Sequence, residues 1–422
     1  MAKLKIGVFG AARGKTMMRV LWKHPDAELV AVCDRYRPLL DEVAALAGEQ
    51  GQTVAVYEDF ETFLQHDMDA VVLANYATEH APYAIRLLQS GRHVLSEVLP
   101  CETMAQAVAL IEAVERTGKV YAYAENYCYM DRTFEMWRRY RRGDVGEITY
   151  GEGEYIHDCT SIWPQITYGE RDHWRNRLHP FYYCTHSLGP LLTISGRRPV
   201  RVAGVATAPN LANYYNGLGA MNGMAGIEMV TLDNGAVVKS IHGGLKREPG
   251  SVNYEVYGTR GCMETQRFGE ELLNVYIEGE RACHGKLETY LPEKFVSAEL
   301  ATNFGTHGGS DFYATHFFIE RILGRPDGLA YTIDVYTAVD MGICGLLAYR
   351  SHLNGGAPVD VPDLRDPAQR AAWRNDHACT APEVAGDQLL PIFAGAEGLE
   401  PVSDEAYARI RALWQAGKEF EN

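Results

Sequence analysis

Residues 1–34 constrain the fold more than any other part of the chain. Lys3–Phe9 (KLKIGVF) reads as a buried strand, Gly10-Ala11-Ala12-Arg13-Gly14-Lys15 as a tight turn, and the run through Trp22 as a helix. Glu28–Cys33 (ELVAVC) reads as a second strand, closed by Asp34. A helix that begins directly after a strand presents unpaired backbone N–H groups and the positive end of its dipole, a seat for phosphate. A carboxylate at the tip of the next strand holds ribose hydroxyls. The pattern therefore predicts a dinucleotide-binding unit, with contacts at Gly10, Ala12, Arg13, Gly14 and Asp34. Ala12 stands at the second glycine position of the usual turn and Lys15 at the third.

Strand and helix patterns alternate to about residue 124. Ala70–Asn75, His93–Ser96 and Val120–Ala124 read as strands, and Glu79–Ser90 and Thr103–Thr117 as helices. This rhythm predicts a doubly wound parallel sheet of the Rossmann type. After Asp144 the texture changes. Ile148–Ile156, Val200–Ala206, Ile227–Leu232, Ala236–Ile241 and Asn253–Tyr257 read as strands, with Asp233-Asn234-Gly235 as a hairpin turn. The second half is thus expected to be an α+β domain with a large, mostly antiparallel sheet. Phe312–Leu323 and Ile333–Ser351 read as helices that return to the first domain, and Glu405–Lys418 as a final amphipathic helix. The stretch from Pro358 to about Pro401 is rich in proline and acidic residues and reads as surface chain. The expected boundaries are 1–124 for the nucleotide domain, 125–358 for a substrate-binding and oligomerisation domain, and 359–422 for a C-terminal extension.

The bulk numbers exclude several partners. A net charge of -15 over 422 residues argues against nucleic acid and anionic membrane. No apolar run is long enough to span a bilayer, and structure is expected from Lys3 onward, so no signal peptide is read. The nine cysteines are scattered without a Cys-x-x-Cys pair. Neither a zinc site nor a disulfide framework is expected, and a cytoplasmic setting fits.

These elements resemble the Gfo/Idh/MocA family of nicotinamide-dependent sugar oxidoreductases over roughly the first 350 residues. That family usually carries Glu-Lys-Pro where this chain has Glu97-Val98-Leu99-Pro100, and an aspartate where Tyr182 precedes His186. A set of further segments resembles one branch, glycoside hydrolase family 109, whose type activity is α-N-acetylgalactosaminidase. They are Glu97-Val98, Glu125-Asn126-Tyr127-Cys128-Tyr129, Gly151–Asp158 (GEGEYIHD), Trp174-Arg175, Tyr183–Pro190 (YCTHSLGP), Thr306–Asp311 (THGGSD) and Val359–Pro362. One aromatic residue of that branch is missing: its substrate-binding tyrosine falls at Pro249-Gly250-Ser251. The resemblance implies NAD as cofactor, with further contacts at Arg35, Asn75, His80, Glu97, Val98 and Asn126. It implies a carbohydrate substrate held by Tyr155, Arg175, Tyr183, His186, His307 and Asp311. A homo-oligomer, dimer or tetramer, is also expected from it.

The chemistry follows from what Val98 removes. A lysine beside the sugar hydroxyl would donate hydrogen bonds and help move its proton during hydride transfer, and valine does neither. Tyr183 and His186, three residues apart, share one face of a helical turn, and an imidazole near neutral pKa serves as acid or base. The catalytic set is read as His186, Tyr183 and Glu125. Glu125 is open between a proton acceptor and an anchor for its neighbours, and His307 and Asp311 between lining a site and capping a helix. His157 and Asp158 lack a third and fourth ligand at supporting spacing, so no metal is expected. Asp34 repels a 2′-phosphate and favours NAD, whereas Arg35 beside it is able to accept one. The resemblance implies redox-assisted glycoside cleavage. A plain sugar or cyclitol dehydrogenase and a non-catalytic sensor are the competing readings.

Overall fold

The computed structural model describes residues 2–268, 271–281, 284–296 and 307–421. Thr306, the first residue of one motif above, lies outside them. The chain forms two compact units. Unit 1 comprises Met1–Glu135, Pro292–Val339 and Leu364–Arg374, and unit 2 the remainder. Among the described residues no helix is long and apolar enough to cross a membrane.

Unit 1 is built on a parallel sheet of β1 (Leu4–Phe9), β2 (Ala27–Cys33), β3 (Ala55–Tyr57), β4 (Ala70–Leu73), β5 (His93–Ser96) and β6 (Tyr121–Tyr123). Its order is β3-β2-β1-β4-β5-β6, so the winding reverses between β1 and β4. Ligands of open α/β sheets collect beyond the carboxyl ends of the strands at such a reversal. The strand β4, AVVL, is buried throughout, as expected where helices cover both faces. Helix Met104–Thr117 shows how local signals set the ends: the Thr103 side chain accepts from the Gln106 N–H, and Gly118 closes the helix at φ 64°. Helix Ser310–Ile322 also belongs to this unit.

Among the described residues unit 2 holds nine strands: β7 (Ile148–Ile156), β8 (Pro199–Ala206), β9 (Ala225–Leu232), β10 (Val237–Gly243), β11 (Ser251–Gly258), β12 (Gly261–Thr265), β13 (Leu273–Arg281), β14 (His284–Tyr290) and β15 (Val359–Asp360). Their order is β14-β13-β12-β11-β7-β10-β9-β8-β15, antiparallel except for β7 beside β10. Helix Thr185–Ser195 crosses one face. The two-residue spacing of Gly151 and Gly153 puts both glycines under it, since alternate residues share a face. A Cβ at Gly153 would stand 1.9 Å from the Ser187 carbonyl oxygen, so no larger residue permits this approach. β12, β13, β14 and β15 have no counterpart in the sequence reading. His284–Tyr290 is exposed along most of its length, so its pairing with β13 leaves no alternation of apolar residues to read.

The C-terminal extension is part of the same architecture. Ser403 caps helix Asp404–Gln415, its oxygen accepting from the Ala406 N–H. Ile410 and Phe420 bury against Trp163 and Leu218. Gly169 lies so close to the helix that a Cβ there would meet the Arg411 Cα at 2.3 Å. The last helix is thus seated on the segment that leads to Trp174 and Arg175.

Candidate active site

The first cluster lies at the carboxyl ends of the parallel strands. Gly10 has φ 101°, and a Cβ on it would meet the Ala74 carbonyl oxygen at 2.2 Å, so only glycine passes here. Gly14 lets helix Ala11–Leu21 close on β1, its missing Cβ falling 2.5 Å from Val8 Cγ1. The N-cap residue of this helix, Gly10, has no side chain to cap it, and its first turn carries no acidic residue. Ala11 N donates to Asp34 Oδ2 at 2.7 Å and Tyr36 N to Asp34 Oδ1 at 2.8 Å, which fixes the carboxylate at the tip of β2. Arg35 lies over the Tyr76 ring, 4.5 Å from its centroid. A helix start without a capping side chain of its own, a turn only glycine fits and an oriented carboxylate together suit a dinucleotide.

Arg13 leaves this turn to join two acidic groups of the same unit. Its guanidinium meets Asp311 Oδ1 at 2.6 Å and Glu97 Oε1 at 2.5 Å. His307 Nδ1 meets Asp311 Oδ2 at 2.8 Å. Burial alone would favour the neutral Asp311, but the His307 hydrogen bond and Arg13 outweigh it and bring the carboxyl down to about 2. Glu97 goes the other way: burial raises its pKa against the pull of Arg13, with Asp311 and Glu125 adding to the rise. Glu125 is fully buried beyond β6 and accepts from the Tyr127 N–H at 3.2 Å, so its carboxylate anchors the following turn. Asn126 is buried in that turn. Val98 is buried beside Glu97. The amide of Asn75 donates to Glu79 Oε2 at 3.1 Å. The His80 ring spans two carbonyls, Asn75 and Leu99, each at 3.3 Å, and burial lowers its pKa to about 4. A neutral ring donates to one of them at a time, so His80 braces the ends of β4 and β5.

The second cluster, in unit 2, is a continuous set of rings. Tyr155 of β7 lies 4.9 Å from His186, which starts the crossing helix, and its hydroxyl meets His157 Nδ1 at 3.0 Å. Tyr183 packs edge-on against His186 at 4.9 Å and stacks on Trp174 at 5.9 Å. Arg175 covers the Trp174 ring at 4.3 Å and the Tyr183 ring at 5.6 Å. The spacing of Tyr183 and His186 therefore does bring them onto one face. Each such contact contributes on the order of 1 kcal/mol beyond burial, so geometry here comes from many modest contacts. Asp158, adjacent to His157, pairs with Lys246 at 2.9 Å.

Two family models match the chain. Residues 4–125 match an oxidoreductase family with an NAD-binding Rossmann fold. Residues 129–374 match the C-terminal domain of glycosyl hydrolase 109. The chain belongs to glycosyl hydrolase family 109. A family 109 protein of Saccharopolyspora erythraea is 26% identical over 400 residues, 89% of this chain and 85% of the relative. One from Phocaeicola vulgatus is 25% identical over 398 residues, 86% and 84% of the two chains. Among solved structures, levoglucosan dehydrogenase in complex with NADH and L-sorbose is similar at a TM-score of 0.66 and 17% identity, covering 86% of this chain and all of that one. Scyllo-inositol dehydrogenase from Lactobacillus casei, with NAD(H) and scyllo-inositol bound, follows at 0.64 and 17%, with the same coverage. At that identity the likeness shows the fold. This family 109 member is an NAD-dependent glycoside hydrolase or oxidoreductase, and NAD is its cofactor.

The site residues expected from the sequence divide between the two clusters. Gly10, Arg13, Glu97, Glu125, His307 and Asp311 lie in unit 1, and Tyr155, Arg175, Tyr183 and His186 in unit 2. Asp311 and His307 close an ion-paired group with Arg13, a role the sequence reading did not give them. It also passed over His242, whose ring stacks on Tyr155 at 4.9 Å and 13°. The available signal was its place in β10, where it pairs directly with Tyr155, but that requires knowing that β10 runs parallel beside β7. Gly250, at the family's aromatic position, lies at the end of β7, where an added Cβ would stand 3.8 Å from the His157 ring.

Proposed function

We propose that this protein is a glycosidase that cleaves its substrate through a redox-neutral cycle of oxidation, elimination, water addition and reduction. The convergence of Tyr155, Arg175, Tyr183 and His186 in one cluster carries this reading. NAD, when bound, supplies reversible hydride acceptance at C3 of the sugar. A ketone at C3 makes the C2 hydrogen acidic. His186 or Tyr183 takes that proton, and the C1–O bond breaks as the aglycone leaves and gains a proton. Water then adds across C1 and C2, and the same residue returns the proton to C2. Arg175 and Tyr155 hold and orient the ring hydroxyls. This route uses the ketone as electron sink and does not depend on the flanking pair of carboxylates used by most glycosidases. Val98 replaces the lysine that the family's dehydrogenases place beside the hydroxyl, so in this cycle the C3 hydroxyl proton passes to a residue of the ring cluster as the hydride leaves and returns when the ketone is reduced. An α-N-acetylgalactosaminide or a related glycoside is the proposed substrate.

The protein with its retained nucleotide should release many nitrophenol molecules per chain from one member of a panel of α- and β-nitrophenyl glycosides, without net NADH. NADH accumulating while the glycoside stays intact would make it a dehydrogenase instead. We also propose that copies associate through the sheet face opposite helix Thr185–Ser195, where Val205, Met229, Tyr257 and Leu287 are exposed. A monomer in light scattering at micromolar concentration counts against that.

A further inference from the structure

His242 is buried to 2% exposure in the ring cluster. Its face is taken by Tyr155, while the Tyr183 ring lies 5.4 Å and the His186 ring 6.2 Å away. Neither Nδ1 nor Nε2 has a hydrogen-bond partner among the described residues. Each of three other buried histidines has at least one ring nitrogen partnered, although His179 Nε2 has none among the described residues. His80 spans two carbonyls, His24 Nε2 meets His316 Nδ1 at 3.0 Å, and His179 Nδ1 accepts from the Phe181 N–H at 3.3 Å. A buried polar group with no partner is destabilising, and native proteins retain such groups where function requires them.

The charge state narrows what would complete this ring. Burial, together with His186, His157 and Arg175 facing it, holds the His242 pKa well below the usual value. The ring is therefore neutral at physiological pH, with one N–H donor and one bare acceptor nitrogen. A carboxylate or phosphate can only accept and an ammonium can only donate. A hydroxyl does both, and it matches either tautomer.

We propose that His242 is a further substrate-binding residue, whose unmet ring nitrogens hydrogen-bond a hydroxyl of the sugar seated against Tyr155. The inference rests on the reading of the ring cluster as the sugar site. It also separates His242 from His186. Proton transfer belongs to His186 or Tyr183, whereas His242 stays neutral and sets which hydroxyl pattern fits.

The test uses the full chain with bound NAD and whichever nitrophenyl glycoside of the panel the unaltered protein turns over fastest. His242→Phe keeps a ring to stack on Tyr155 and removes both nitrogens. His242→Asn removes the ring and keeps a donor and an acceptor. The expected result for His242→Phe is a KM raised about tenfold or more, with a thermal midpoint equal to or above that of the unaltered protein. His242→Asn should recover part of the affinity despite a lower midpoint. Unchanged KM in His242→Phe overturns the proposal. So does a loss of affinity that tracks a fall in midpoint in both variants, the pattern of simple packing. If the unaltered protein neither binds nor cleaves any glycoside of the panel, the functional reading itself fails, and the result differs from either outcome above.

Discussion

The two clusters are held together by opposite physics. In unit 1, Arg13, Glu97, Asp311 and His307 meet at 2.5 to 2.8 Å, and Asp311 is ionised down to about 2. In unit 2, rings meet at 4.9 to 6.2 Å, and the group nearest their core, His242, is kept neutral. A charged group is all-or-none, because removing one partner strands another charge in a low dielectric. A ring group is graded, because each contact is modest and neighbours adjust. The difference suits the proposed cycle, in which the cofactor stays and the sugar is exchanged at each turnover.

The largest expected effect tests whether the ring cluster does chemistry at all. Replacing His186 by Ala should lower kcat by about 10⁴-fold, equivalent to about 5 kcal/mol, if this imidazole moves the C2 proton. NAD content should remain that of the unaltered protein, since the nucleotide residues lie in unit 1. Activity within a few fold of the original would remove His186 from the mechanism and leave Tyr183 as the base.

The contrast in charge makes two pH predictions of opposite sign. Beneath the crossing helix, burial pushes the Glu228 carboxyl up to about 8, against the pull of Cys184 and Ser240. A folded-state pKa above the unfolded one means the folded form holds the extra proton. That stabilisation is complete below the ordinary value near 4.5 and is lost as pH rises through about 8. Glu228→Gln should abolish the slope, and relative to it the unaltered protein should lose about 4 kcal/mol between pH 4.5 and 9. Parallel unfolding curves for the two proteins at pH 5, 7 and 9 would show Glu228 to be ionised in the fold.

Asp311 behaves in the reverse sense. Its folded pKa lies below the ordinary 3.8, so its contribution is present above that value and is lost as pH falls through about 2. Asp311→Asn should therefore cost about 2 kcal/mol at pH 7 and progressively less between pH 4 and 2. A difference that stays constant with pH would mean the aspartate acts through packing rather than charge, and the comparison between the clusters would lose one side.

How much of this was legible in the sequence follows the same division. β4 and the turn Gly10–Gly14 were readable because their constraints are local: a buried apolar run, and a backbone that only glycine follows. Arg13 and Asp311 were each singled out but not as a pair, since 298 residues separate them and nothing local links their charges. Tyr183 and His186 were readable as neighbours because a helical turn sets their spacing. His242 was not, because a single histidine in an apolar strand looks like core until β10 is known to lie beside β7. The pair Gly151 and Gly153 sat in a recognised motif, but its reason appeared only with the crossing helix. Exposed β14 left no pattern of burial to read.

The smallest expected effect probes whether the graded character of the ring cluster extends beyond the site. Trp414, on the last helix, packs on Tyr168 at 5.9 Å, Tyr168 on His173 at 5.9 Å, and His173 on Trp174 at 5.5 Å. Trp174 in turn carries Arg175 and stacks on Tyr183. A ladder of rings thus runs from the C-terminal extension to the residues proposed to hold the sugar. Losing one remote rung should loosen Arg175 without touching the proton-moving pair. Trp414→Ala is expected to raise KM about fivefold, near 1 kcal/mol, with kcat within a factor of two and NAD content unchanged. Were kcat to fall in step with kcat/KM while KM held, the ladder would be positioning His186 or Tyr183 rather than Arg175. Were neither to move, the extension would support only folding, which the midpoint of the same variant reads directly.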